Sequence, residues 1–170
     1  ILHEELDALA GPIDGAALPR LSRTAAIFTE SLRLQPPAWI IAREARVDHV
    51  VRSGQRLPQG SLVVMSPYLL HRDARYFDDP LAFDPNRWLR EPSVSTRSSF
   101  IPFGAGPRAC IGESFAMMEG VLLLAVLGQT WRLVPTTPGP LSYDVRITLR
   151  PAGPVLMRLE HRHPNDGTAA

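Results

Sequence analysis

Ten consecutive residues constrain this chain more than any others: Phe103-Gly104-Ala105-Gly106-Pro107-Arg108-Ala109-Cys110-Ile111-Gly112, which hold the only cysteine of the 170-residue sequence. Glycines 104 and 106 open backbone angles closed to other residues and let the loop lie close to a flat surface. The loop delivers one thiol to the start of an apolar helix that begins near Gly112 and runs through Phe115, Met117, Met118 and residues 121–127. A helix N-terminus offers partial positive charge and unpaired N–H groups, which favour a thiolate over a thiol. An isolated cysteine reads by default as a buried, inert thiol. Here the glycines and Arg108 have no use in a simple core position, so the setting points to a sulfur presented to a metal centre. A zinc site does not fit, because structural zinc wants four closely spaced Cys or His ligands. His3, His49, His71, His161 and His163 are scattered, and no second cysteine exists.

The length suits one domain with a real core. A net charge of +1 gives no electrostatic case for nucleic acid or an anionic membrane. A single cysteine excludes a disulfide framework and fits a reducing compartment. No stretch approaches the roughly 20 apolar residues of a membrane span, and no signal peptide is visible. The expectation is a soluble, cytoplasmic protein. The opening Ile1-Leu2-His3-Glu4-Glu5-Leu6 reads as the interior of a helix already under way, as expected of the C-terminal portion of a longer protein.

Residues 3–9 read as a helix end stopped by Gly11-Pro12. Residues 21–34 read as a second helix, with Ala25, Phe28 and Leu32 on one stripe at helical spacing. Pro36-Pro37 ends it, because a residue before proline avoids helical angles. Residues 39–42, 46–51 and 61–65 read as short strands separated by turn signals. Residues 68–100 read as irregular, broken by Pro80, Pro85 and Pro92. Near the end, residues 145–149 and 155–159 with the Pro151-Ala152-Gly153 turn predict a hairpin. Residues 1–160 are expected to form the ordered part and 161–170 a polar, disordered tail. Met117 and Met118 read as core filler.

The fixed offsets of Phe103, Gly104, Gly106, Arg108, Cys110 and Gly112 resemble the haem-binding loop of the cytochrome P450 family, and the likeness runs from about Glu4 to about Arg158. The resemblance implies a mainly α fold with small β-sheets, the C-terminal half of the P450 fold truncated at its N-terminus. It implies haem b (iron protoporphyrin IX) as cofactor, with Cys110 as axial iron ligand and Pro102, Phe103, Gly104, Gly106, Arg108, Gly112 and Ala116 around the ring. Phe103 would shield the sulfur from water, and backbone N–H groups near it would tune its electron donation. Arg108 could pair with a propionate by charge-assisted bonds worth about 1.5–3 kcal/mol each. Arg43 either points towards a propionate or lies on a solvated edge. Thiolate ligation pushes electron density onto iron and favours O–O cleavage.

Glu30 and Arg33 sit three apart on the second helix, a spacing that also suits an ordinary surface ion pair. Phe83-Asp84-Pro85-Asn86-Arg87-Trp88 follows later. In the family a helical Glu-x-x-Arg pair joins an arginine from such a segment, so Glu30, Arg33 and Arg87 are implied to assemble the pocket. His71-Arg72-Asp73 also resembles a family segment and reads as structural hydrogen bonding. By the same likeness Ala38, Trp39 and Ile40 line an apolar substrate pocket.

The implied activity is insertion of one oxygen atom of O2 into an apolar small molecule, terpene-like or a fatty acid, with electrons from a ferredoxin or flavoprotein donor. No distal helix with an acid–alcohol pair is visible, so no distal catalyst is named. Two alternatives stay open: an inactive fragment or non-turnover haem-binding module, and a peroxide-driven peroxygenase.

Overall fold

The computed structural model describes residues 2–9, 11–136 and 139–162. Helix α1 (Leu2–Asp7) is followed by a 3₁₀ turn (Gly15–Arg20) and by helix α2 (Ser22–Leu34). Helix α2 has no cap from its own N-cap residue, Leu21. Its orphan donors are met from α1 instead: Glu5 accepts from the Arg23 N–H at 2.7 Å and from the Thr24 N–H at 2.8 Å. A carboxylate at a helix N-terminus satisfies both those donors and the helix dipole. The long helix α5 (Glu113–Thr130) lies across α1 and α2, and Leu6, Leu21, Val121 and Ala125 form the core between them. Gly128 permits the approach of α5 to α1, because a Cβ there would fall 2.8 Å from Leu6 Cδ1.

The strands form four two-stranded antiparallel ladders among the described residues. β1 (Ile41–Glu44) pairs with β4 (Leu62–Met65), and β2 (His49–Val50) pairs with β3 (Arg56–Leu57). The first expected strand therefore starts later, at Ile41, because Trp39 turns its carbonyl to the Ser66 hydroxyl at 2.8 Å. The second is shorter than expected, since Ala45 closes a loop with Ser61 and Gly60.

The stretch expected to be irregular contains three short helical pieces. These are α3 (Pro67–Leu70), a 3₁₀ turn (Pro85–Trp88) and α4 (Val94–Ser99). Each opens on a side-chain cap, from Ser66, Asp84 and Ser93 respectively. In the first two a proline sits in the first turn, where its missing N–H costs nothing.

The expected terminal hairpin is corrected. β5 (Trp131–Pro135) follows α5 directly and pairs with β8 (Met157–His161). The hairpin is instead β6 (Tyr143–Val145) with β7 (Leu149–Pro151), turning at residues 146–148. Val145 and Leu149, the two ends of the first apolar run, pair with each other, and Met157–His161 pairs with β5, so the two runs do not pair across the Pro151-Ala152-Gly153 turn. Nor does the expected tail begin at 161. His161 ends β8 with its ring 5.1 Å from Trp131, and Arg162 donates to both carboxylate oxygens of Asp7 at 2.8 Å. His163 and the rest of the expected tail lie outside the described residues.

Candidate functional site

The loop before α5 is held by its own backbone. Gly104 N–H donates to Ile101 O at 3.0 Å, Ala109 N–H to Gly106 O at 3.0 Å and Cys110 N–H to Phe103 O at 2.9 Å. Gly104 and Gly106 take φ of +77° and +71°, the left-handed region in which a side chain is strained. The loop so closed leaves Cys110 exposed at the start of α5.

Cys110 opens into a cavity of about 480 Å³. Pro102, Phe103, Gly104, Arg108 and Ala116, all among the residues that the resemblance places around the ring, line it. Gly106 and Gly112 shape the loop without lining the cavity; a Cβ on Gly112 would sit 3.8 Å from the sulfur. The facing walls are apolar, from Phe28 and Leu32 of α2 and from Pro37, Ala38 and Ile41. Arg43, left undecided by sequence, lines the cavity alongside Arg108. Sequence reasoning missed Phe28, Gly120 and Glu119, whose carboxylate is the acidic group of the lining. Gly120 had a signal, since a glycine in mid-helix weakens it and asks for a packing reason. A Cβ there would lie 2.2 Å from the Phe28 ring.

Of the three residues expected at the substrate, only Ala38 reaches this cavity. Trp39 and Ile40 line a second apolar cavity of about 550 Å³, with Tyr68, Tyr143 and Leu149. Trp39 donates from Nε1 to Arg146 O at 2.7 Å, which fixes the β6–β7 turn beside it.

Beneath α2 the expected ionic trio is present. Glu30 and Arg33 are fully buried and paired in parallel, Nη2 to Oε1 at 2.8 Å and Nε to Oε2 at 2.9 Å. Arg87 adds its Nε to Oε1 at 3.1 Å. Two donors were not foreseen: the Asp84 N–H at 2.9 Å and the Trp88 indole at 2.8 Å. Arg33 spends its remaining donors on His71 O, Pro80 O and Ala82 O. Every N–H of the guanidinium therefore has a partner. Burial alone would push the Glu30 carboxyl up, but the bonds from Arg33, Asp84 and Trp88 outweigh it and hold the group below its usual range. The trio clamps residues 78–88 to α2 and lies outside the cavity.

His71 is also fully buried; its backbone N–H donates locally to Pro67 O at 2.8 Å, while its ring makes long-range bonds. Nε2 accepts from the Ile101 N–H at 3.0 Å, and Nδ1 lies 3.1 Å from Arg33 O. Burial pushes its pKa down to about 4.

Comparison with known proteins agrees with this geometry. A family profile described as Cytochrome P450 matches residues 2–157. The chain is 43% identical over 164 residues to cyclooctatin synthase of Streptomyces melanosporofaciens, covering 95% of this chain and 35% of that protein. It is 43% identical over 138 residues to pentalenene oxygenase of Streptomyces avermitilis, covering 78% of this chain and 30% of that one. The crystal structure of the cytochrome P450DA haem domain superposes with a TM-score of 0.84 at 25% identity, over 99% of this chain and 38% of that one. The chain thus spans about a third of the length of the curated relatives it matches.

Proposed function

The chain belongs to the cytochrome P450 family, and from that premise we propose that it forms the thiolate-bearing side of a haem monooxygenase acting on an apolar small molecule. The observation that carries this reading is the cavity itself: one free sulfur, largely apolar walls, and two guanidinium groups against the single carboxylate of Glu119. That donor set suits a flat, largely apolar iron porphyrin with an anionic edge. Cys110 would ligate the iron, Arg43 and Arg108 would hold the propionates, and Phe103, Pro102, Gly104 and Ala116 would lie against the ring. Haem b bound there supplies O2 activation and the oxidising power for C–H oxygenation, with electrons from a ferredoxin or flavoprotein donor.

The chain's own contribution is positioning. Phe103 lines the cavity beside Cys110 and would help screen the exposed sulfur once the ring is bound, and the Cys110 N–H is tied to Phe103 O at 2.9 Å. Ala38 reaches over the cavity as a small apolar substrate contact. The names of the two Streptomyces relatives support a terpene-like substrate. No described helix is long and apolar enough to cross a membrane. Phe115, Leu123, Val126 and Leu127 of α5 are exposed, so the chain alone presents one wall of the pocket and would retain haem poorly.

The test is spectroscopic. The intact protein, reduced under carbon monoxide, should show the red-shifted Soret band of thiolate ligation, and Cys110→Ala should abolish it. A band unchanged in Cys110→Ala would remove the assignment.

A further inference from the structure

We propose that His71 is a positioning residue for the thiolate loop, acting through the acceptor bond from its Nε2 to the Ile101 N–H. This rests on the haem-thiolate reading of Cys110. A backbone N–H can only donate, so Nε2 at 3.0 Å from Ile101 N is the acceptor. Nδ1 then carries the proton and donates to Arg33 O at 3.1 Å. The ring is neutral and in one tautomer.

The two bonds join the end of α2 to the entry of the loop. Ile101 precedes Pro102, which has no N–H to offer, and the Ile101 carbonyl accepts from Gly104 at 3.0 Å. Phe103 O in turn accepts from Cys110. Both backbone polar groups of Ile101 are thereby fixed, one by His71 and one by the loop that carries the sulfur. The imidazole cannot turn away. Arg33 Nη1 donates to the His71 carbonyl at 2.7 Å, so the two residues are tied twice, and Phe100 and Phe77 pack on the ring at 5.2 and 6.2 Å.

Two substitutions separate the two nitrogens. The amide of His71→Gln reaches the Nε2 position and can accept from Ile101. The amide of His71→Asn reaches only the Nδ1 position and keeps the tie to Arg33. In the intact, haem-loaded protein under carbon monoxide, His71→Gln should keep the thiolate Soret band. His71→Asn should load haem yet lose most of that band to the blue-shifted form. If Asn keeps at least as much as Gln, the residue only fills space or braces Arg33, and the proposal is overturned. A measurement without substitution decides the matter should both variants fail to fold: the Ile101 amide should exchange its hydrogen slowly in the unsubstituted holoprotein. Exchange as fast as an exposed loop amide overturns the bond. Absence of a thiolate band in the unsubstituted protein would sink the Cys110 reading instead, while the exchange rate still reports on His71.

Discussion

Trp88 donates its indole N–H to Oε2 of Glu30 at 2.8 Å, so the residue after Arg87 closes the shell of a fully buried carboxylate. Oε1 receives Arg33, Asp84 and Arg87, and Oε2 receives Arg33 and Trp88. Trp88→Phe keeps an aromatic ring beside Phe100, whose centroid lies 4.5 Å from that of Trp88, and removes the donor together with part of the indole ring system. A hydrogen bond to a buried charge is worth about 1.5–3 kcal/mol, and that loss is expected. Urea unfolding of the intact protein should show a lower midpoint at unchanged slope, with haem content retained. An unmoved midpoint would mean that the carboxylate is satisfied without the indole.

Arg33→Lys should be far costlier than its conserved charge suggests. The guanidinium serves both oxygens of Glu30 and three carbonyls from residues 71, 80 and 82. An ammonium has three donors on a flexible stem and cannot reproduce the planar fork. Breaking a buried pair costs about 3–5 kcal/mol. The variant should purify with little haem and melt at lower temperature; normal haem occupancy would show that charge alone suffices.

The residues around the sulfur were legible because loop chemistry is local. Gly104, Gly106, Arg108 and Cys110 sit within a short run, and their backbone angles follow from residue type. Helical spacing alone made Glu30 and Arg33 an ordinary surface pair, and their grouping with Arg87 was legible only through the family likeness of the Phe-x-Pro-x-Arg segment. Trp88 was hidden because an indole next to a known partner reads as packing, with nothing local to reveal a carboxylate 58 residues away. Arg43 sits at the rim of a strand, where alternation alone does not fix which side faces the cavity. The cap at Asp84 was masked because Pro85 read as a breaker, although proline in a first turn starts a helix. The β5–β8 pairing was illegible because its strands are joined only through long sequence separation, whereas the nearby runs at 145–149 and 155–159 mimic a hairpin.

Gly120 tests close packing directly. The Phe28 ring would lie 2.2 Å from any Cβ placed there, and both residues border the cavity. Gly120→Ala improves intrinsic helix propensity by about 1 kcal/mol, yet overpacking costs typically 1–3 kcal/mol, so destabilisation should win. Phe28→Leu should relieve the clash. A double-mutant cycle on thermal unfolding is expected to give a favourable coupling between the two changes. Additive effects would show that Phe28 moves aside freely.

Acid should unmask His71 before Glu30. The His71 pKa falls from 6.5 to about 4 on folding, first because burial penalises the charged ring, with Arg33 and Arg72 adding repulsion against the bond to Arg33 O. Between pH 6.5 and 4 the unfolded chain therefore binds a proton that the folded chain refuses, and stability must fall as pH falls through that window. The shift corresponds to about 3 kcal/mol. Glu30, held below the ordinary carboxylate range, contributes stability that is present at neutral pH and goes only as pH drops further through its depressed pKa. Stability measured by denaturant midpoints from pH 7 to 4 should thus decline more steeply in the unsubstituted holoprotein than in His71→Gln, which has no ring to protonate at that position. Equal slopes in the two proteins would place the acid sensitivity elsewhere in the molecule.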